Sequence, residues 1–394
     1  MTESARTDLP APELLGIRMY TGGRLDIYSG VARKSGKIWC TLHRPATPTT
    51  TVVLFVHPTS NFLGHYALPG LAARGVAAAG LATRYVGNDS ALLMENCVLD
   101  VAAAIGHLRS LGFEKVVLGG NSGGGGLSAL YQSQAESPTI TATPAGDGPD
   151  LTQADLPPAD AVVAMMAHPG RAGVYTEWMD PALLDEADPF TRDPDLDMFD
   201  ERNGPPYSAE FLARYRAAQV ERNARITAWV RERLAWLAED DTRPDDMPFL
   251  VHGTCADPRF LDLSIEPSDR AAGSLWGDPQ KANLLPASLG HQTSLRSWLS
   301  QWSLEDSNCD AVVHLPRVST PVLVMYGTAD GAAFPAHALA MYEAARPENR
   351  ELIPIEGADH YFNGQPELQD EALGLLHDWL LRHDLAPAAM ASGV

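Results

Sequence analysis

Apolar residues recur along this chain with two periods. Residues 51–57 (TVVLFVH) form a continuous, β-branched run, the pattern of a strand buried on both faces. Residues 75–83, 115–119, 161–167, 322–326 and 351–355 read the same way, although 75–83 is rich in Ala. Helical patterns separate them, at 65–74, 91–111, 127–134, 335–345 and 367–382. In 91–111 the apolar points are Leu92, Leu93, Val98, Val101, Ile105 and Leu108, a helical spacing. Two earlier stretches, 14–20 and 25–42, read as N-terminal strands or a hairpin. Strands that alternate with helices and are buried on both faces predict an α/β chain with a mostly parallel sheet and helices on each side. Residues 136–158 are rich in Pro, Thr, Gly and Asp and read as a surface or mobile loop.

The alternation breaks after His168. Residues 171–310 hold 26 acidic and 14 basic residues and six of the eight Trp. Residues 209–237 predict a long amphipathic helix, with Phe211, Tyr215, Ile226, Trp229, Val230 and Leu237 as its apolar points. The segment reads as a mainly helical insert with its own apolar inventory. A chain of 394 residues has room for one elaborated domain or two.

The formal charge is −21, with an isoelectric point near 4.9. Such a chain repels phosphate backbones and anionic membranes, and mildly disfavours anionic substrates. The N-terminal residues lack the basic-then-apolar order of a signal peptide. No stretch approaches the roughly 18 apolar residues of a membrane span. Cys40, Cys97, Cys255 and Cys309 are scattered, with no CxxC pair, which suits a reduced, cytoplasmic protein. No metal-binding motif is present, so neither metal nor cofactor is expected. The expected partner is a small-molecule substrate, with a homo-oligomer left open.

Gly120-Asn121-Ser122-Gly123-Gly124 follows a strand and precedes a helix. A serine on so sharp a turn takes a strained backbone, and its neighbours two positions away must be tiny. The Gly123 N–H at the helix start then suits a developing oxyanion. A P-loop is excluded, since no Lys-Ser/Thr follows. An alcohol nucleophile needs a base, and the base an orienter. His360 and Asp330 each follow a strand, where open α/β sheets gather ligands. Asp359 is adjacent to His360 and poorly placed to orient it; Asp310 is the other competitor. In the loop after residues 51–57, Pro58 has no N–H. Thr59 is therefore the expected second oxyanion donor, with Ser60 next and His57 as a brace. His168, Trp178 and His252 are further candidates for lining a pocket.

These residues resemble the α/β-hydrolase superfamily. The resemblance rests on Val56-His57-Pro58, Gly-Asn-Ser122-Gly-Gly, Gly-Thr-Ala-Asp330 and Gly-Ala-Asp-His360-Tyr, and covers roughly 50–170 and 311–385. His-Pro departs from the common His-Gly, which leaves the oxyanion loop open. The resemblance implies an eight-stranded, mostly parallel sheet flanked by helices. It also implies a core of 1–170 and 311–394, with 171–310 as a large helical cap inserted after strand 6. The implied activity is a serine hydrolase acting on a carboxylic ester or lactone of a small-to-medium, largely apolar substrate, through an acyl-enzyme on Ser122. Branches that place an Asp at that position, dehalogenases and epoxide hydrolases, are disfavoured. The rival readings are a C–C bond hydrolase of a diketone-like product, an amidase or acyltransferase, and a non-catalytic ligand receptor.

Overall fold

The computed structural model describes residues 9–20, 34–286 and 288–386. The chain opens with antiparallel β1 (Glu13–Arg18) and β2 (Lys37–His43). Of the expected stretch 25–42, residues 25–33 lie outside the described residues and the rest carries most of β2. Strict alternation follows: β3 (Thr51–Val56), α1 (Ala67–Ala72), β4 (Ala77–Ala82), α2 (Met94–Ser110), β5 (Lys115–Ser122), α3 (Gly124–Glu136) and β6 (Ala161–Ala167).

Next come α4 (Arg171–Trp178), a ribbon of β7 (Leu183–Asp185) and β8 (Asp188–Arg192), and the 30-residue α5 (Ala209–Ala238). A second ribbon pairs β9 (Pro248–Leu250) with β10 (Gln292–Ser294). The chain closes with β11 (Val322–Gly327), α6 (Pro335–Ala344), β12 (Arg350–Ile355) and α7 (Pro366–Arg382).

Eight strands form one sheet in the order β1-β2-β4-β3-β5-β6-β11-β12. β2 runs antiparallel to both its neighbours, and the pairs from β4 to β12 are parallel. The period-two rule sorts β3 between two cores. Val52, Leu54 and Val56 face the side of α2 and α3, while Val53 and Phe55 face α1 and α7. The glycine of the Ala-rich β4 has a steric cause. A Cβ on Gly80 would stand 1.9 Å from the carbonyl oxygen of Phe62, so the turn at Phe62–Gly64 lies almost on the strand.

Residues 136–158 carry little regular structure but are pinned. Leu151 and Leu156 are buried in the core beside α3, and Gln134 Oε1 accepts the N–H groups of Thr139 and Ile140.

Between 171 and 310 the long helix falls where the apolar period predicts it, and Ser208 caps it by accepting the Phe211 N–H. The rest is less helical than the sequence suggests. Its aspartates explain why. Asp180, Asp185, Asp188, Asp257, Asp262 and Asp278 each accept the backbone N–H two residues on. That bond substitutes for the helical one and favours turns. Much of the segment's acidity is therefore turn chemistry. Among the described residues no helix is long and apolar enough to cross a membrane.

Candidate active site

β5 ends at Ser122, whose φ of 54° lies in the left-handed region. A non-glycine residue there is strained, and the surrounding packing holds it. A Cβ on Gly120 would lie 2.1 Å from the Gly124 oxygen, and one on Gly124 would lie 2.0 Å from the Val56 oxygen. A Cβ on Gly125 would lie 2.7 Å from the His168 oxygen, and one on Gly126 2.5 Å from the Pro169 oxygen. The glycine run lets α3 start three residues earlier than its apolar pattern suggests, tight against the strand ends. Met166 (φ 45°) bulges β6 beside the turn, so that Ser122 pairs with Ala167. Asn121 locks the approach from below. Its Nδ2 donates to the Met165 oxygen at 2.6 Å, and His65 Nε2 lies 3.4 Å from its Oδ1.

Asp330 and His360 meet as the sequence predicts. His360 Nδ1–H donates to Asp330 Oδ2 at 2.7 Å, and both side chains are buried. Asp330 Oδ1 accepts the Ala332 and Ala333 N–H groups at 2.8 and 2.9 Å. Three N–H donors thus converge on this buried carboxylate. The competing carboxylates are occupied elsewhere. Asp359 accepts the N–H groups of Tyr361 and Asn363, and Asp310 caps the short helix Ala311–His314. His360 Nε2 is buried with no protein hydrogen bond. The Tyr361 ring packs edge-on against His360 at 4.4 Å, with its phenol beside the Ser122 hydroxyl.

The loop after β3 departs from expectation. The Thr59 N–H donates to His57 Nδ1 at 3.0 Å, and the Ser60 N–H donates to the same atom at 2.8 Å. The expected second oxyanion donor, Thr59, thus spends its N–H inside its own loop, and so does Ser60. His57 does brace the loop. Burial, reinforced by nearby Arg171, His168, His360 and His65, holds its pKa well below the ordinary histidine value.

A cavity of about 190 Å³ opens beside Ser122. Its polar wall includes His57, Thr59, Ser60, Asp89, Gly123, His168, Arg171 and Tyr361; its apolar wall is Val174, Trp178, Leu275, Trp276, Leu289 and Ala332. Ser60, His168 and Trp178 are therefore placed where the sequence suggests. His252 is not. It edges a separate cavity of about 540 Å³ with Ile226, Trp229 and Phe249, wholly within 171–310, because it follows β9, which pairs with β10 away from the sheet. That cavity is the larger, but none of the serine chemistry faces it. The other Trp residues divide between roles. Trp298 and Trp302 fill the core around Tyr175, while Trp236 is exposed under Arg233 and Arg243.

Sequence reasoning missed Arg171, Asp89 and Tyr361. Arg171 is 4% exposed, pairs with Asp89 at 2.5 Å and lies over the Trp302 ring at 4.2 Å. Its one sequence signal is its place directly after His168-Pro169-Gly170, at the end of a buried strand.

No family model matches the sequence, and no curated protein matches it. Solved structures do. The α/β hydrolase GrgF from Penicillium sp. sh18 superposes with a TM-score of 0.53 at 12% identity, over 95% of this chain and 99% of that one. The monoacylglycerol lipase of Paleococcus ferrophilus gives 0.48 at 16% identity, over 88% of this chain and 99% of that chain. The esterase domain of a Rhodothermus marinus protein gives 0.47 at 12%, over 95% and 99%. The first likeness speaks for the fold, and the strand order speaks with it. With its single antiparallel β2, its order β1-β2-β4-β3-β5-β6-β11-β12 and its serine turn after β5, the chain has the α/β-hydrolase fold.

Proposed function

We propose that the protein is a serine hydrolase that cleaves a carboxylic ester or lactone through an acyl-enzyme on Ser122. The observation that carries this reading is the buried His360–Asp330 hydrogen bond at 2.7 Å, in a fold that ends β5 on a strained serine. A pure binding protein has no use for an oriented base. In this reading His360 Nε2 takes the Ser122 proton as the serine oxygen attacks the carbonyl. The Gly123 N–H, at the N-terminus of α3, stabilises the oxyanion. Asp330 fixes the imidazole tautomer and stabilises its cation. His360 then protonates the leaving alcohol, and afterwards activates the water that releases the acid.

Residues 171–310 act as a cap in this reading, because Val174, Trp178, Leu275, Trp276 and Leu289 all come from that segment. At about 190 Å³ the cavity favours a short acyl group. Larger ligand clefts run to roughly 300–1,000 Å³. The experiment is covalent labelling with a fluorophosphonate, read by peptide mapping. One adduct on Ser122, lost in His360→Ala, is expected. Hydrolysis of p-nitrophenyl acetate that survives Ser122→Ala unchanged would overturn the reading.

A further inference from the structure

An oxyanion forming at Ser122 needs a second donor, and the loop after β3 has none free in its backbone between residues 58 and 60. Pro58 has no N–H. The N–H groups of Thr59 and Ser60 both end on His57 Nδ1, at 3.0 and 2.8 Å. These two bonds have a chemical consequence for the ring. A nitrogen that accepts N–H donors carries no proton of its own. In the neutral imidazole the proton is therefore on Nε2.

Nε2 lies on the reacting side. A Cβ built on Gly123 would stand 3.2 Å from it, so the ring edge is next to the backbone of the first oxyanion donor. His57 also lines the Ser122 cavity. Among the described residues no protein group accepts from Nε2, and it is not a fully buried, unpartnered atom. We propose that the Nε2–H of His57 is the second oxyanion donor, beside the Gly123 N–H.

This rests on the serine-hydrolase reading and completes it. As the Ser122 oxygen bonds to the carbonyl carbon, the π pair moves to the carbonyl oxygen and His360 accepts the serine proton. The oxygen then accepts hydrogen bonds from Gly123 and His57, and His57 keeps its proton throughout. Burial and the neighbouring Arg171, His168 and His360 keep the ring uncharged. A neutral donor costs less to desolvate than a charged one and needs no counter-ion. The His-Pro sequence is then explained: removing the N–H at position 58 and tying down the next two hands the role to the side chain.

Two variants separate donation from bracing. In His57→Asn, the amide oxygen takes the place of Nδ1 and keeps the loop bonds, but nothing donates where Nε2 was. In His57→Gln, the amide nitrogen reaches the Nε2 position, but the loop loses its acceptor. Both are assayed with p-nitrophenyl acetate, alongside melting temperature and the affinity of a trifluoromethyl ketone, whose adduct carries the same oxyanion. Donation predicts that kcat of His57→Asn falls about 10²–10³-fold, as for other oxyanion donors, with KM moving less than about threefold. Ketone affinity falls with kcat, and His57→Gln keeps about tenfold more activity than His57→Asn although its loop is less stable. Activity of His57→Asn within about threefold of wild type, or His57→Gln falling as far as His57→Asn, overturns the proposal. Failure of the fluorophosphonate to label Ser122 in the wild type would instead overturn the serine-hydrolase reading itself.

Discussion

Asp330 Oδ2 holds the Nδ1–H of His360 at 2.7 Å, while Asp330 Oδ1 is saturated by the N–H groups of Ala332 and Ala333. The carboxylate is thus an acceptor on every side. An amide at the same place must turn a donor toward either the imidazole or the two backbone N–H groups. Asp330→Asn is expected to lower kcat on p-nitrophenyl acetate by about 10⁴-fold, through the wrong imidazole tautomer, while leaving some labelling of Ser122. Steady-state kinetics and the labelling rate check this.

The glycine run makes a second prediction. Gly124→Ala would push a methyl to 2.0 Å from the Val56 oxygen, a backbone atom with nowhere to go. A loss of about 3 kcal/mol or more is expected, read by urea unfolding. Gly106 in α2 meets nothing within 4 Å. Gly106→Ala should be neutral or stabilise by up to about 1 kcal/mol. If both behave alike, close packing is not why the glycines are there.

A third prediction concerns the pair that ties the end of β4 to α2. Arg84 and Asp100 are both fully buried, joined at 2.7 Å, with a second bond from Arg84 Nε to Asp100 at 3.0 Å. Removing one partner strands the other charge away from water. Arg84→Met is expected to destabilise by about 3–5 kcal/mol, and the double change with Asp100→Leu to recover part of it. Chemical denaturation of the three proteins tests the coupling.

Acid should unfold this protein early. Burial holds His57, His65 and His168 below the usual histidine value, with His65 down to about 3. The unfolded chain binds these protons near pH 6.5, and the folded chain does not. Stability is therefore full above about pH 6.5 and falls as the pH drops toward 3, by up to about 1.4 kcal/mol per pH unit for each histidine. His65→Gln should flatten that slope by about one histidine's share. Unfolding free energies at several pH values between 6.5 and 5 measure it.

The parallel strands and the placement of Ser122, Asp330 and His360 were legible because their signals are local. A β-branched run reports burial on two faces, and Gly120-x-Ser122-x-Gly124 reports a turn that few other sequences tolerate. Asp330 and His360 were readable as residues at strand ends, with no knowledge of the sheet's curvature. The hydrogen bonding of the loop after β3 was not legible in this way. The sequence shows that Thr59 has an N–H; only coordinates show that His57 Nδ1 already takes it. His252 illustrates another limit. A histidine in an insert could border any cavity, and the pairing of β9 with β10 carries it away from Ser122. The turns of 171–310 were written in its aspartates, but a count of charges does not distinguish an Asp that folds back on its own backbone from one that meets solvent.

The walls of the Ser122 cavity come from two different stretches of chain. Ser122, Gly123 and His57 sit at the ends of sheet strands, and the apolar faces of Val174, Trp178, Leu275, Trp276 and Leu289 come from the segment between β6 and β11. Selection can therefore act on the two independently. A changed Trp276 or Leu289 alters which molecule fits without touching the reacting atoms. In the proposed reading, substrate range and chemistry therefore reside on separate stretches of one chain.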